Sequence, residues 1–281
     1  MPFQADPSTL LLDKEVVECT QLFASSAPFA VPEEEGICVL QSEVALVYPV
    51  EGKPLPRFLG SVDATTCCAV FVRSSDGQKS ACAHIDFEQC CACFSSILER
   101  GGFFSDQALT VSLVGSYQGG EECEELVACI LRSLHALPNP LTLRVAAVLG
   151  ANPLAKAEGS ERQRPAFFSA AMDTATGELR PATFASHGPC AIERASKCFI
   201  QGCKEPLALA YDSSAGWSAP ILPGAQGGLE WGIPKEGCIA FLQFSDERLL
   251  QSTSTSPNAE GPEYASNMRR VLSFILQQYS K

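Results

Sequence analysis

Strand-length apolar segments joined by short turns constrain the fold of this chain more than any other feature. Residues 67–73 and 79–85 are two such segments, and Asp76-Gly77 between them is a strong signal for a hairpin turn. Strands joined by so short a turn pair antiparallel. Six further segments have the length and apolar content of strands, namely 36–48, 109–114, 141–149, 166–172, 206–211 and 238–244.

Three stretches repeat apolar residues at helical spacing instead, namely 87–100, 121–137 and 262–279. The pair Gly101-Gly102 ends the first, acidic residues open the second, and Pro262 suits the first turn of the third. Strands outnumber helices and mostly lack crossover helices between them. We therefore predict an α+β fold with mostly antiparallel sheets, in a single domain that spans residues 1–281.

Charge and composition exclude several classes of partner. The chain has 32 acidic and 20 basic residues, a formal net charge of −12, so it repels nucleic acid and anionic lipid. Its first 20 residues lack the basic segment of a signal peptide, and no apolar run approaches the roughly 18 residues of a membrane span. We expect a soluble, cytosolic protein whose 14 cysteines are mostly buried thiols.

The predicted hairpin places a thiol and an imidazole on one face of a sheet. A turn on Ser75-Asp76 sets Cys67 directly opposite His84, and a turn on Asp76-Gly77 makes them diagonal neighbours, with Cβ atoms about 4.5–8 Å apart in either register. A thiol with a pKa of about 8.5 needs such an imidazole, which takes its proton or stabilises the thiolate. Cys67 is therefore the candidate nucleophile, although the same pair also occurs as ordinary sheet residues.

The neighbouring residues divide into core and candidate site. Cys68 points away from His84 together with two valines, so we predict that it is a core thiol. The other histidines, His135 and His187, fall in a predicted helix and in a loop rich in Gly and Pro. Ser61 could accept a hydrogen bond from the imidazole and hold its tautomer, or it could be a turn residue after Gly60.

Five blocks of the sequence resemble the patterns of protein N-terminal asparagine amidohydrolases. The G-S-V-D-A-T-T-C block resembles the family's G-[ST]-x-[DE]-A-T-T-C signature, and S-T-S-P-N-A-E resembles its S-T-S-P-x-A-E block. The five blocks occupy residues 40–49, 59–73, 83–86, 111–117 and 254–264. The matches keep the family's order and reach about residue 275, whereas residues 1–35 match poorly.

The resemblance implies an activity and a catalytic triad. The family hydrolyses the side-chain amide of an N-terminal asparagine in peptides or proteins, which gives aspartate and ammonia and feeds the N-degron degradation pathway. By position, Cys67 is the nucleophile that forms a thioester, and His84 and Ser61 complete the triad. No metal and no cofactor is implied.

The resemblance also implies a fold, substrate contacts and a cellular setting. The fold is a three-layer sandwich of two stacked, mostly antiparallel sheets with helices, similar to that of the chemotaxis receptor glutamine deamidases. Glu260, Thr66 and Ser256 are the implied substrate-binding residues. Glu260 either binds the free α-ammonium or orients the catalytic groups, and a carboxylate is also favoured at the start of a helix. We expect a monomer in the cytoplasm, with the nucleus as a second location.

The chain departs from the family at two positions, and three other functions compete with the one implied. Ser116 stands where the family has the second glycine of V-G-G, and Ser42 stands where it has arginine. The same fold could deamidate an internal Gln or Asn, or could bind N-termini without cleaving. A thiol-rich metal-binding or redox protein could use Cys90-x-x-Cys93, but the motif lies in a predicted helix without a second C-x-x-C.

Overall fold

The computed structural model describes residues 7–104, 107–156, 163–201, 206–223 and 229–280. The chain divides into two compact units, and each is described by itself. The first unit comprises Met1–Ala155, Pro165–Gly188 and Pro206–Ser218, and the second comprises Lys156–Arg164, Pro189–Glu205 and Ala219–Lys281. The single domain expected over residues 1–281 stays a prediction.

The described residues form strands over much of their length. In chain order the strands are β1 (Phe29–Val31), β2 (Gly36–Val39), β3 (Glu43–Val47), β4 (Phe58–Ser61), β5 (Cys68–Ser74), β6 (Ser80–Ile85), β7 (Leu109–Tyr117), β8 (Leu141–Leu149), β9 (Leu154–Lys156), β10 (Gln163–Pro165), β11 (Ala170–Asp173), β12 (Leu179–Phe184), β13 (Ile200–Gln201), β14 (Ala208–Asp212), β15 (Gly216–Trp217) and β16 (Glu230–Trp231).

Helices occur at both ends of the chain and between strands. They are α1 (Pro7–Leu10), α2 (Lys14–Ser25), α3 (Glu88–Arg100), α4 (Glu121–His135), α5 (Ala191–Ala195), α6 (Lys235–Leu242), α7 (Asp246–Thr253) and α8 (Tyr264–Gln278), with a 3-10 turn at Ser196–Phe199. The mixture of helices with separate sheets confirms the predicted α+β class. No helix in the described ranges is long and apolar enough to cross a membrane.

Two sheets make up most of the first unit. The larger has the strand order β15-β14-β3-β6-β5-β7-β8, and the smaller has the order β1-β12-β11-β4-β2. The centre of the larger sheet, β3-β6-β5-β7, is antiparallel as predicted. Strands β7 and β8 pair in parallel instead, because α4 crosses over between them.

Alternate side chains of the larger sheet point to opposite faces and belong to two separate hydrophobic cores. Cys68, Val70 and Val72 point into one core together with residues of α3 and α4. Ala69 and Phe71 point into the other core, where they meet Leu59 and Met172 of the smaller sheet. This second core is therefore the interior between the two sheets.

The hairpin of β5 and β6 has the second of the two registers considered from the sequence. Cys68 pairs with Ile85 and Arg73 pairs with Ser80, so the turn is centred on Asp76-Gly77. The Asp76 carboxylate accepts hydrogen bonds from the Ser74 hydroxyl at 2.6 Å and the Gln78 amide at 2.9 Å. The left-handed backbone of Gly77, with φ of 72°, closes the turn.

The strand predicted at 238–244 was wrong, because most of this segment belongs to helix α6. In this helix Cys238 is buried against Leu272 and Ile275 of α8, and Phe241 and Leu242 pack on the same cluster. The spacing i, i+3, i+4 suits a helix face. A short apolar run without polar alternation is compatible with both structures, so periodicity did not separate them.

Several other expectations were only partly right. The segment 36–48 is two strands, because Ser42 adopts a left-handed backbone with φ of 58° between them. In the segment 166–172 only the last three residues lie in a strand, β11 (Ala170–Asp173). Strands β4 and β12 were not predicted. The segments 150–165, 186–197 and 213–235, expected to be loops, contain short strands and helix α5, and parts of the first and last lie outside the described residues.

Helices build the core of the second unit. The apolar face of α8, with Val271, Leu272 and Ile275, is buried against α6 and Leu249 of α7. The Tyr279 hydroxyl donates a hydrogen bond to the Ile233 carbonyl at 2.7 Å, which ties the end of α8 to the segment before α6. The predicted helix at 262–279 is confirmed as Tyr264–Gln278.

Candidate active site

Strand β6 carries His84, and Cys67 directly precedes β5, the strand that pairs with it. His84 pairs with Ala69, which lies two residues after Cys67. The two-residue period of a strand, continued by one residue beyond β5, would put Cys67 on the side of His84, as the sequence predicted. Both residues are buried, with Cys67 8% and His84 2% exposed.

Ser61 reaches the same imidazole from the other sheet. It is the last residue of β4 and is completely buried, and its Oγ lies 2.8 Å from His84 Nδ1. The same hydroxyl donates its proton to the Val39 carbonyl at 3.0 Å. Because a hydroxyl has one proton, it must accept from Nδ1, so the neutral imidazole carries its proton on Nδ1.

This tautomer leaves the lone pair of His84 on Nε2. The Nε2 atom is buried and has no hydrogen-bond partner among the described residues. Buried polar nitrogens without a partner are rare, and each needs a functional or structural explanation. A buried imidazole with its lone pair on Nε2 can accept the proton of a thiol, and Cys67 is the buried thiol directly before β5.

Burial keeps the imidazole neutral. It lowers the pKa of His84 from 6.5 to about 4, because the charged form loses its hydration. The charge of the Asp86 carboxylate raises this pKa, but its effect is smaller than that of burial. That carboxylate is held by the Gln41 side-chain amide at 3.0 Å and by the Ser42 hydroxyl at 2.7 Å. At neutral pH His84 is therefore a base rather than a cation.

The adjacent Cys68 lies in a different environment, the hydrophobic core on the helix side of the larger sheet. It is completely buried in the core that α3 and α4 cover. Burial raises the pKa of its thiol far above the ordinary value, so Cys68 stays protonated and a poor nucleophile. Its position agrees with the prediction of a core thiol.

Backbone hydrogen bonds to other segments of the first unit hold the chain around Cys67. Asp63 has a left-handed backbone with φ of 56°, and the Ala64 amide donates to the Phe168 carbonyl at 2.8 Å. The Cys67 carbonyl accepts from the Ser116 amide at 2.7 Å. Gly115 allows this approach, because a Cβ there would lie 2.4 Å from the Cys67 carbonyl oxygen.

The three residues expected to bind substrate fall in both units. Thr66, half-buried, directly precedes Cys67 in the first unit. Ser256 and Glu260 belong to the second unit, in the segment between α7 and α8. Within that segment the hydroxyls of Ser254 and Ser256 donate to Glu260 Oε1 at 2.6 Å and 3.3 Å.

The C-x-x-C motif lies on helix α3, as expected. The Cys90 thiol donates to Asp86 Oδ1 at 3.2 Å, and the Cys93 thiol donates to the Leu207 carbonyl at 3.6 Å. Among the described residues, no three side chains of the His, Cys, Asp and Glu types converge closely enough to hold a metal ion. Both thiols thus have hydrogen-bonding roles inside the fold.

Comparison with known sequences identifies the family. The profile of one family, described as protein N-terminal asparagine amidohydrolase, matches residues 27–281. The chain belongs to this family. Proteins with that name from Sus scrofa and Mus musculus are each 28% identical to it over 242 residues, which is 84% of this chain and 73% of theirs. The protein with that name from Arabidopsis thaliana is 23% identical over 295 residues, 94% of this chain and 80% of its own.

The amidohydrolase family assignment confirms the resemblance that the five sequence blocks suggested. Two residues that hold segments around the candidate site were not predicted from the sequence. Asp86 lies inside the block at residues 83–86, but its link to Gln41 and Ser42 depends on the pairing of β3 with β6. Asn152 binds the Gly115 and Phe167 carbonyls at 2.9 Å and 2.7 Å, and no local pattern in the sequence indicates that role.

Proposed function

We propose that this amidohydrolase deamidates the side chain of an N-terminal asparagine in peptides or proteins, with Cys67 as nucleophile. One observation carries the proposal: Ser61 holds Nδ1 of the buried His84, which leaves the lone pair on Nε2, and Cys67 directly precedes the strand that pairs with the strand of His84. The names of the family and of its relatives supply the substrate class.

The first half of the reaction forms a thioester. His84 Nε2 takes the proton of the Cys67 thiol, and the thiolate attacks the side-chain carbonyl carbon of the asparagine. The tetrahedral intermediate collapses as the C–N bond breaks, and the imidazolium gives its proton to the leaving amine, which departs as ammonia. A pKa of about 4 for His84 makes the imidazolium short-lived, which favours that return of the proton.

The second half hydrolyses the thioester. Water enters, His84 Nε2 takes one of its protons, and the resulting hydroxide attacks the acyl carbon. The C–S bond breaks, Cys67 leaves as a thiolate and recovers the proton from His84, and the product is an N-terminal aspartate. Through both halves the Ser61 hydroxyl keeps Nδ1 protonated, and only Nε2 exchanges protons.

Recognition of a chain terminus needs a group that binds the α-ammonium. We assign this to Glu260, with Ser256 holding the carboxylate and with Thr66 contacting the substrate beside the nucleophile. A charge-assisted hydrogen bond is roughly twice as strong as a neutral one, so a held carboxylate suits the task. The two serine hydroxyls on Oε1 support an ordered carboxylate at Glu260.

The proposal also covers the fold, the oligomeric state and the cellular location of the protein. The helix layer and two sheets of the first unit support a three-layer sandwich similar to that of the chemotaxis receptor glutamine deamidases. We further propose a cofactor-free monomer that acts in the cytoplasm, with the nucleus as a second location. Its aspartate product would enter the N-degron degradation pathway.

The experiment measures ammonia release and product mass on peptides that begin with Asn, Gln, Ala-Asn or N-acetyl-Asn. We expect turnover of the Asn-first peptide alone. Cys67→Ala should abolish it, whereas the matched variant Cys68→Ala should keep most of it, because that thiol points into the other core. Glu260→Ala should raise KM for the Asn-first peptide at least about tenfold, the loss expected for a charged hydrogen bond.

Each alternative function predicts a different result in this assay. Turnover of Ala-Asn or of N-acetyl-Asn would indicate an internal deamidase and would remove the α-ammonium from the proposal. Binding of the Asn-first peptide without turnover, in folded native protein, would indicate a binding module. Equal loss in Cys67→Ala and Cys68→Ala would contradict the assignment of the nucleophile.

A further inference from the structure

One buried serine binds the peptide groups on both sides of Cys67. The Ser116 hydroxyl lies 3.0 Å from the Thr66 carbonyl oxygen and 3.2 Å from the Cys67 carbonyl oxygen. The Ser116 amide donates to the same Cys67 carbonyl at 2.7 Å. Ser116 has no solvent exposure, so these bonds do not compete with water.

Binding both carbonyls constrains the nucleophile itself. Peptide groups are planar, and the backbone angles φ and ψ of Cys67 are the rotations between the two planes that flank its Cα. A residue that holds the carbonyls of both planes therefore fixes both angles. The direction of the Cα–Cβ bond, and with it the region that Sγ can reach toward His84, follows from those angles.

Ser116 is held in place for this role by its own surroundings. It lies near the end of β7, next to Gly115, whose carbonyl accepts from the buried Asn152 side chain at 2.9 Å. The Thr66 carbonyl has a second donor, the Cys123 thiol at 3.8 Å. Both carbonyls beside the nucleophile are thus anchored to β7 and to the start of α4.

The backbone of Ser116 argues against a role in stability alone. Its φ is 42°, in the left-handed region that glycine adopts without cost and serine does not. The side chain that this strained backbone carries contacts the peptides on both sides of Cys67.

We propose that Ser116 is a positioning residue that holds Cys67 in reach of His84 through its hydroxyl, an inference that rests on the proposed function. The hydroxyl takes no part in proton transfer. Its removal should leave substrate binding intact and slow the steps in which Sγ reacts.

The test compares Ser116→Gly and Ser116→Ala with native protein on the Asn-first peptide. Both variants lose the hydroxyl, but glycine also relieves the left-handed backbone, whereas alanine keeps its strain. We expect kcat to fall about 10- to 100-fold in both, the cost of a small misplacement of a reacting group, with KM within about twofold. The melting temperature should be unchanged or higher in Ser116→Gly and lower in Ser116→Ala.

A second readout follows Cys67 without the substrate. The rate of Cys67 alkylation by iodoacetamide, read by mass spectrometry of its peptide, should fall in both variants. Ser112→Ala is the matched control, because Ser112 is a buried serine on the same strand that faces Phe71. It should leave kcat and the alkylation rate within about twofold of native protein.

Each remaining outcome overturns the inference in a different way. An unchanged kcat in Ser116→Gly would show that the hydroxyl is dispensable. Loss in Ser116→Gly but not in Ser116→Ala would show that backbone freedom, not the missing hydroxyl, matters. Absence of turnover in native protein would reject the proposed function, and the role of Ser116 with it.

Discussion

A single hydroxyl proton sets the chemical state of the candidate site. Ser61 gives its proton to the Val39 carbonyl, so the hydroxyl can only accept from His84 Nδ1. The imidazole is neutral because burial lowers its pKa to about 4. Together these two facts make Nε2 a base at neutral pH, which a free thiol requires for activation.

The lowered pKa of His84 predicts a loss of stability in acid. Between pH 6.5 and pH 4 the unfolded chain binds a proton at this residue and the folded protein does not, so stability rises with pH in this window and falls as pH decreases. The difference in pKa corresponds to about 3 kcal/mol. Urea unfolding at pH 7 and pH 4 should therefore show a larger loss in native protein than in His84→Asn.

The exposed histidine of α4 provides the control for this prediction. His135→Asn should show the same loss between pH 7 and pH 4 as native protein, because that residue is exposed and lies outside the site. An identical pH dependence in native protein and in His84→Asn would contradict a buried neutral imidazole.

At the scale of elements, the close approach of β4 and β11 holds Ser61 in position. Gly60 pairs with Ala171, and a Cβ on Gly60 would lie 2.2 Å from the Ala170 carbonyl oxygen and 2.9 Å from the Ala171 Cα. Backbone atoms cannot move aside as a flexible side chain does. Gly60→Ala should therefore lower the free energy of unfolding by about 1–3 kcal/mol, measured by urea titration.

A second glycine separates this packing effect from the general effect of adding a methyl group. A Cβ on Gly150 would meet no atom within 4 Å, and its backbone is not left-handed. Gly150→Ala should change the free energy of unfolding by less than about 0.5 kcal/mol. Equal effects at the two positions would mean that β4 and β11 do not approach as closely as described.

Turns and helices were predictable from the sequence where the local residue pattern fits only one kind of secondary structure. The Asp76-Gly77 turn and the acidic start of α4 come from local backbone preferences, which act in any context. The segment 238–244 was predicted wrongly, because its apolar run suits a strand or a buried helix equally. Packing against Leu272 and Ile275 of α8 decided in favour of the helix, and that contact is distant in sequence.

At the scale of the whole molecule, the reactivity of the cysteine thiols measures how many of them are buried. The structure describes thirteen of the 14 cysteines, all without a disulfide, and eight of these are buried while Cys190 and Cys198 are exposed. A chromogenic thiol reagent should therefore react quickly with few sites in native protein. In denaturant without reductant it should titrate all 14, and a total that rises only after reduction would reveal disulfides.

The sequence by itself determined the family, the hairpin and the candidate nucleophile. Each of these depends on residues close together along the chain, so motif order, turn chemistry and the two-residue period of a strand were sufficient. The same period predicted Cys68 in the core, which the structure confirms, and Cys67 on the face of His84, which stays a prediction.

Only the tertiary structure decided how the imidazole of His84 is held and which residue binds the peptides on both sides of Cys67. The tautomer of His84 depends on Ser61 and Val39, which neighbouring strands of another sheet supply. The two peptides beside Cys67 depend on Ser116, about 50 residues further along the chain. Hydrogen bonds between such distant residues follow from how sheets stack and strands end, and no local preference encodes them.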